Sequence, residues 1–183
     1  MNIYYYFVDP DRYDSFETDG RSETQINRVL GRRRGEPWTP PRVYRAHDTG
    51  TLGDFSTFAG THLPILSPRA WTALEPALGR HVEPLPLRCR EGRYVAVNPL
   101  HVNHCLDPKR SWFRYFSSGE VAEIEKIVLK PKARFRCPMF RVPQDAGQVF
   151  LTEEFFDLAD AAGLEGLLKI AVPPVTNPYW LSR

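Results

Sequence analysis

"PILSPRAWTALEPALGRHVEPLPL", residues 64–87, sets the alternation of elements on which the fold turns. Ser67 stands where a side-chain oxygen caps a helix, and Pro68 at the first helical position gives up no hydrogen bond there. Trp71, Leu74 and Leu78 then recur on one helical face, Gly79 sits past the end, and a strand is predicted over Val82 to Leu87. The stretch "GQVFLTEEFFDLADAAGLEGLLKIAV", residues 147–172, repeats that logic. A strand at Val149 to Leu151 leads to Thr152 as cap, with Glu153 and Glu154 in the positive first turn. Phe155, Leu158, Ala159 and Ala162 make the apolar face, Gly163 stops the helix, and Leu167 to Val172 returns as a strand.

Working outward, "PLRCREGRYVAVNPLHVNHCLD" turns at Glu91-Gly92 and offers two apolar stretches, Tyr94 to Val97 and Leu100 to Leu106, which read as a meander. "VAEIEKIVLKP" alternates in a way that fits helix or strand, and "RFRCPMFRVP" reads as a strand broken by Pro138. The aromatic and β-branched opening "NIYYYFVD" is a strand that stops at Asp9-Pro10 and is placed at a sheet edge. Two main short helices among many strands predict an α+β fold around an antiparallel or mixed sheet. A chain of 183 residues is the size of one domain. Within it, residues 1–52 form an irregular N-terminal segment of that same domain, 53–172 the core, and 173–183 a proline-rich tail.

The 24 basic and 22 acidic side chains leave a formal charge of +2, which gives dedicated nucleic-acid or membrane binding no support. No apolar run is long enough to span a bilayer, and the N-terminus lacks the marks of a signal peptide, so a cytoplasmic protein is expected. Cys89, Cys105 and Cys137 are too few and too scattered for a disulfide framework, which fits reduced, packed thiols.

Chemistry is suggested most strongly by "NPLHVNHCLD", residues 98–107. His101, His104, Cys105 and Asp107 offer enough ligand atoms for zinc, or a thiol with a base. On a strand over 100–106, however, His101, Asn103 and Cys105 face one way and Val102, His104 and Leu106 the other. A structural role is therefore favoured, with no catalytic residue, metal or cofactor expected. "GRRRGEPW" sets Arg32, Arg33 and Arg34 near Trp38, which could meet phosphates and stack a base. The acidic stretch with Asp11, Tyr13, Asp14 and Phe16 just upstream favours a solvated loop or a protein contact instead.

Taken in order, Asp54-Phe55, Ile65 to Ser67, Leu74 to Gly79, Val82 to Leu87, Tyr94, Cys105 to Asp107 with Ser111, Met139 to Arg141, and Gly163 to Leu167 resemble the Imm11 family of immunity proteins. The match runs over residues 53–172, with Asp54, Phe55, Ser67, Cys105, Asp107, Ser111, Phe140, Arg141, Gly163 and Gly166 in motif positions. In that pattern the slots of His101 and His104 are not histidine, whereas Cys-Leu-Asp belongs to it. The resemblance implies a non-catalytic bacterial protein that binds a co-encoded toxin and blocks it. Such a role predicts aromatic or arginine anchors. Trp38, Tyr44, Trp112, Phe113 and Trp180 are available; Trp112 and Phe113 are expected in the core, Trp38 and Trp180 at the surface. The competing readings are a small metal- or thiol-dependent hydrolase and an RNA-binding module on Arg32 to Arg34.

Overall fold

Helix α1, Pro68–Leu78, forms because its end signals are local. Ser67 Oγ accepts the Ala70 N–H at 3.1 Å, Pro68 opens the first turn, and Gly79 follows at φ 46°. Leu74 and Leu78 are buried and Trp71 packs at the margin of the same core. In the computed structural model, residues 2–18, 37–46, 50–58, 62–119 and 121–172 are described. Arg32, Arg33, Arg34 and Trp180 lie outside the described residues, as does the tail 173–183.

Helix α2, Glu153–Ala161, closes with paired backbone bonds: Leu164 N–H to Ala159 C=O at 2.9 Å and Gly163 N–H to Asp160 C=O at 3.0 Å. Gly163 takes φ 62° there, which a Cβ disfavours. The start of α2 has Thr152 at the cap position read from the sequence, with one difference. Thr152 is the N-cap by backbone angle, but its hydroxyl makes no capping hydrogen bond. Its N–H is spent on Pro138 C=O at 2.9 Å, and Glu153 and Glu154 supply the negative charge that the first turn attracts. Phe156 joins Phe155 and Ala159 in the core, so the buried face is wider than predicted.

Among the described residues, all the ladders are antiparallel. A four-stranded sheet runs in the order β4 (Phe55–Thr57), β5 (Pro64–Leu66), β7 (Val95–Pro99), β6 (Val82–Pro86). A three-stranded sheet sets β11 (Asp145–Thr152) between β1 (Ile3–Tyr5) and β10 (Met139–Val142). Two hairpin-like pairs complete the set: β2 (Phe16–Thr18) with β3 (Val43–Arg45), and β8 (Trp112–Tyr115) with β9 (Val121–Lys126). The α+β architecture of one domain is thus present, with the strands of the described residues divided among four sheets.

The inner strands of both larger sheets are covered on two faces, which is why Pro64–Leu66, residues 95–97 and residues 149–151 read as short continuous apolar runs. Leu66, Val97, Val149 and Leu151 face a core shared with α1 and α2. Their chain neighbours Ile65 and Ala96 face a second core with Phe16, Val43 and Tyr94, while Phe150 joins Phe140, Cys105 and Ile124 in a third. Tyr4 and Tyr6 lie in the first core and Phe16 in the second, so the opening residues are integral to the fold. Among the described residues, no helix is long and apolar enough to cross a membrane.

β1 is the edge of its ladder, but the edge is covered. Tyr5 N–H donates to Ile170 C=O, Leu168 N–H to Phe7 C=O, and Val172 N–H to Ile3 C=O. Residues 167–172 make only isolated bridges there, at Leu167 and Ala171, and do not form the regular strand predicted. Gly166 explains how the chain enters this path: it holds φ 126°, and a Cβ would sit 3.2 Å from the Phe55 carbonyl oxygen. Gly166→Ala is expected to lower the unfolding free energy by about 1–3 kcal/mol through backbone strain and crowding. Urea unfolding checks this, as a lower midpoint at an unchanged slope.

Candidate docking surface

The stretch after β7 does not gather a reactive site. The chain leaves the ladder at Pro99 and runs as a strap: His101 C=O accepts the Arg141 N–H at 2.9 Å and Arg141 C=O accepts the Asn103 N–H at 2.7 Å. Residues 100–106 make isolated bridges only, and Cys105 and Leu106 are buried in succession, so the strict alternation predicted for a strand fails. The two histidines nonetheless part. His101 packs edge-on to His81 with ring centroids 5.4 Å apart, whereas His104 is exposed and its carbonyl takes the Lys130 ammonium at 2.7 Å. Burial pushes the Cys105 thiol up to about 11, so it is protonated at neutral pH. Among the described residues, no three His, Cys, Asp or Glu side chains are placed to hold one ion.

Several of the residues singled out from the sequence instead form two structural nodes. In the first, buried Asp54 accepts Ser67 Oγ–H at 2.7 Å, the Glu165 N–H at 3.1 Å and the Arg69 guanidinium. Arg69 also donates to Gly163 C=O at 2.9 Å, so the start of α1 is tied to the end of α2. Burial alone would raise the Asp54 carboxyl, but the bonds from Arg69, Ser67 and Glu165 outweigh it and hold the group below its ordinary range. Phe55 and Gly166 pack at this node.

The second node is the root of the β8–β9 hairpin. Asp107 accepts the N–H groups of Lys109 at 2.9 Å and Arg110 at 3.3 Å, its carbonyl takes Ser111 N–H, and its own N–H reaches Val128 C=O at 2.7 Å. Ser111 Oγ bonds both the N–H and the C=O of Val128, at 3.1 and 3.2 Å. Cys105 lies beneath in the third core with Phe140. Arg141, on the adjacent strand, is 1% exposed, and burial pushes its guanidinium down to about 10 although Asp145 opposes the shift.

What this root supports is apolar and exposed. Trp112, Tyr115 and Phe116 are 61%, 58% and 60% exposed, while Ile124 on β9 pins the other side of the hairpin to the third core. Gly119 at φ 86° makes the turn, closed by its N–H on Phe116 C=O at 2.9 Å. Lys126 lies 4.8 Å over the Trp112 ring, and Arg114 pairs with Glu125 at 3.8 Å. An exposed aromatic group of this kind, rimmed by charge, is the composition of interface anchors.

Several expectations of anchor placement are corrected. Trp112 is exposed, not core, and Phe113 is half-buried. Trp38 is half-buried against the second core and donates Nε1–H to Pro86 C=O at 2.8 Å. Tyr13, Asp14 and Phe16 are buried and present no partner surface: Phe16 stacks edge-on to Tyr94, and Asp14 pairs with Arg45. Asp11 and Tyr44 are exposed. Sequence reasoning missed Arg69 and Arg45, whose carboxylate partners lie 15 and 31 residues away. It also missed Tyr115 and Phe116, for which the run "SWFRYF" was the available signal.

No protein-family model matches the chain, and a search of curated proteins finds no match.

Proposed function

We propose that this protein is an immunity protein. It binds one bacterial toxin, encoded by an adjacent gene, and neutralises it by stoichiometric association in the cytoplasm, with no substrate turned over. The motif resemblance over residues 53–172 motivates the reading, and the exposed Trp112, Tyr115 and Phe116 on the β8–β9 hairpin carry it. Large aromatic side chains gain most from leaving water and lose little side-chain entropy when held, so they are suited to anchor a partner. The motif residues Asp107 and Ser111 support the reading by fixing the root of that hairpin, which limits the ordering cost of docking.

Co-expression tests it. Cells producing the adjacent-gene toxin are expected to grow when this chain is present and to stop when it is absent. Equal growth arrest in both cultures would remove the proposal.

A further inference from the structure

A second surface lies beside the second core, whereas the aromatic hairpin packs on the third. An open groove of about 1040 Å³ runs between residues 42–44 and 87–93. Its walls are held together by the backbone: Val43 N–H donates to Arg88 C=O at 3.0 Å and Arg88 N–H to Pro41 C=O at 2.9 Å, which sets Arg42 beside Arg88. Arg88 and Arg90 point outward around half-buried Cys89, and Gly92 turns the chain so that Arg93 joins the same lining. Val43 and Leu87 are the buried floor, and Tyr44, 45% exposed, stands at the side.

The four arginines are exposed, and none makes an ion pair with a described carboxylate. The contrast is with their neighbours: Arg45 is taken by Asp14, and Arg69 by Asp54. Four guanidiniums in one groove repel one another, so a protein of net charge +2 concentrates positive potential there. We infer that this groove binds a carboxylate-rich segment of a protein partner.

The guanidinium fork matches a carboxylate with two parallel hydrogen bonds, and the apolar floor receives the stems between acidic side chains. A phosphate backbone fits less well, because carboxylates stand beside the arginines. Glu17 faces Tyr44 across the β2–β3 pair and is exposed, and Glu91 stands at the turn, kept charged by the hydrogen bond from the Cys89 thiol. A continuous nucleic-acid strand would run past both carboxylates, whereas separate acidic side chains need not. The inference is independent of the hairpin and of the toxin reading.

A fluorescent decaglutamate peptide and an oligo-dT of equal length serve as probes, read by anisotropy at fixed ionic strength. The full chain is expected to bind the peptide more tightly than the oligonucleotide. Arg88→Glu with Arg90→Glu should weaken peptide binding at least tenfold. Lys109→Glu with Arg110→Glu, an equal charge change outside the groove, should leave it within twofold, and so should Trp112→Ala. Because all four changed cations are exposed, unfolding curves of the variants should overlay the parent's. Tighter binding of the oligonucleotide, equal loss in the two charge-reversed variants, or no peptide binding would overturn the inference.

Discussion

Asp54→Ala is expected to lower the unfolding free energy by about 2–4 kcal/mol, since the carboxylate accepts several charge-assisted hydrogen bonds. The loss falls on two helices together. Ser67 Oγ–H, the Glu165 N–H and the Arg69 guanidinium all lose the Asp54 carboxylate, which leaves the bond from Arg69 to Gly163 C=O to tie the start of α1 to the end of α2. The effect stays below that of a fully buried ion pair because Arg69 is largely exposed and regains water. Ser67 still caps Ala70, so α1 itself should persist and helical dichroism should change little.

The same node sets a pH dependence. The carboxyl of Asp54 is depressed in the folded protein, so its contribution is complete above the unfolded-state carboxylate range. It is lost as pH falls through the lower folded value. Urea unfolding from neutral to acid pH should show a shallower fall in stability for Asp54→Asn than for the parent. Parallel curves would mean that Asp54 is not the coupled group.

The second large effect concerns binding. Trp112→Ala combined with Phe116→Ala is expected to weaken association with the proposed toxin partner by about two to three powers of ten, the range of a pair of central anchors. Folding stability should change by no more than about 0.5 kcal/mol, because both side chains are mostly exposed. The cation over Trp112, Lys126, loses only a surface contact. Equal losses of affinity and stability would point to a structural role for the hairpin, and unchanged affinity would place the docking surface elsewhere.

The two helices were legible because their signals lie within a few residues of their ends. Ser67, Pro68 and Gly79 act locally, and so do Gly163 and the paired glutamates of α2. Thr152 takes the cap position its sequence context predicts, by backbone angle and without a hydroxyl bond. The acidic aromatic stretch misled for a long-range reason. Asp14 looks solvated beside Asp9 and Asp11, and Arg45, 31 residues on, together with the Gly50 N–H makes its burial tolerable. The exposure of Trp112 depends on which neighbours reach the hairpin, and no local pattern in "SWFRYF" records that. Strap 100–106 shows the limit of alternation as a guide: its histidines diverge, but by leaving the ladder and not by lying on a regular strand. The arginine groove had a visible trace in "PLRCREGR", while its other wall comes from residues 42–44, far away in the chain.

Occupation of another protein through the aromatic hairpin is the mode of action proposed for this chain. Calorimetric titration of the purified chain into the adjacent-gene toxin tests it most directly. The expected result is saturation at one copy per toxin, with the heat of binding abolished or sharply weakened by Trp112→Ala and Phe116→Ala. The absence of any complex with the parent chain would contradict the account.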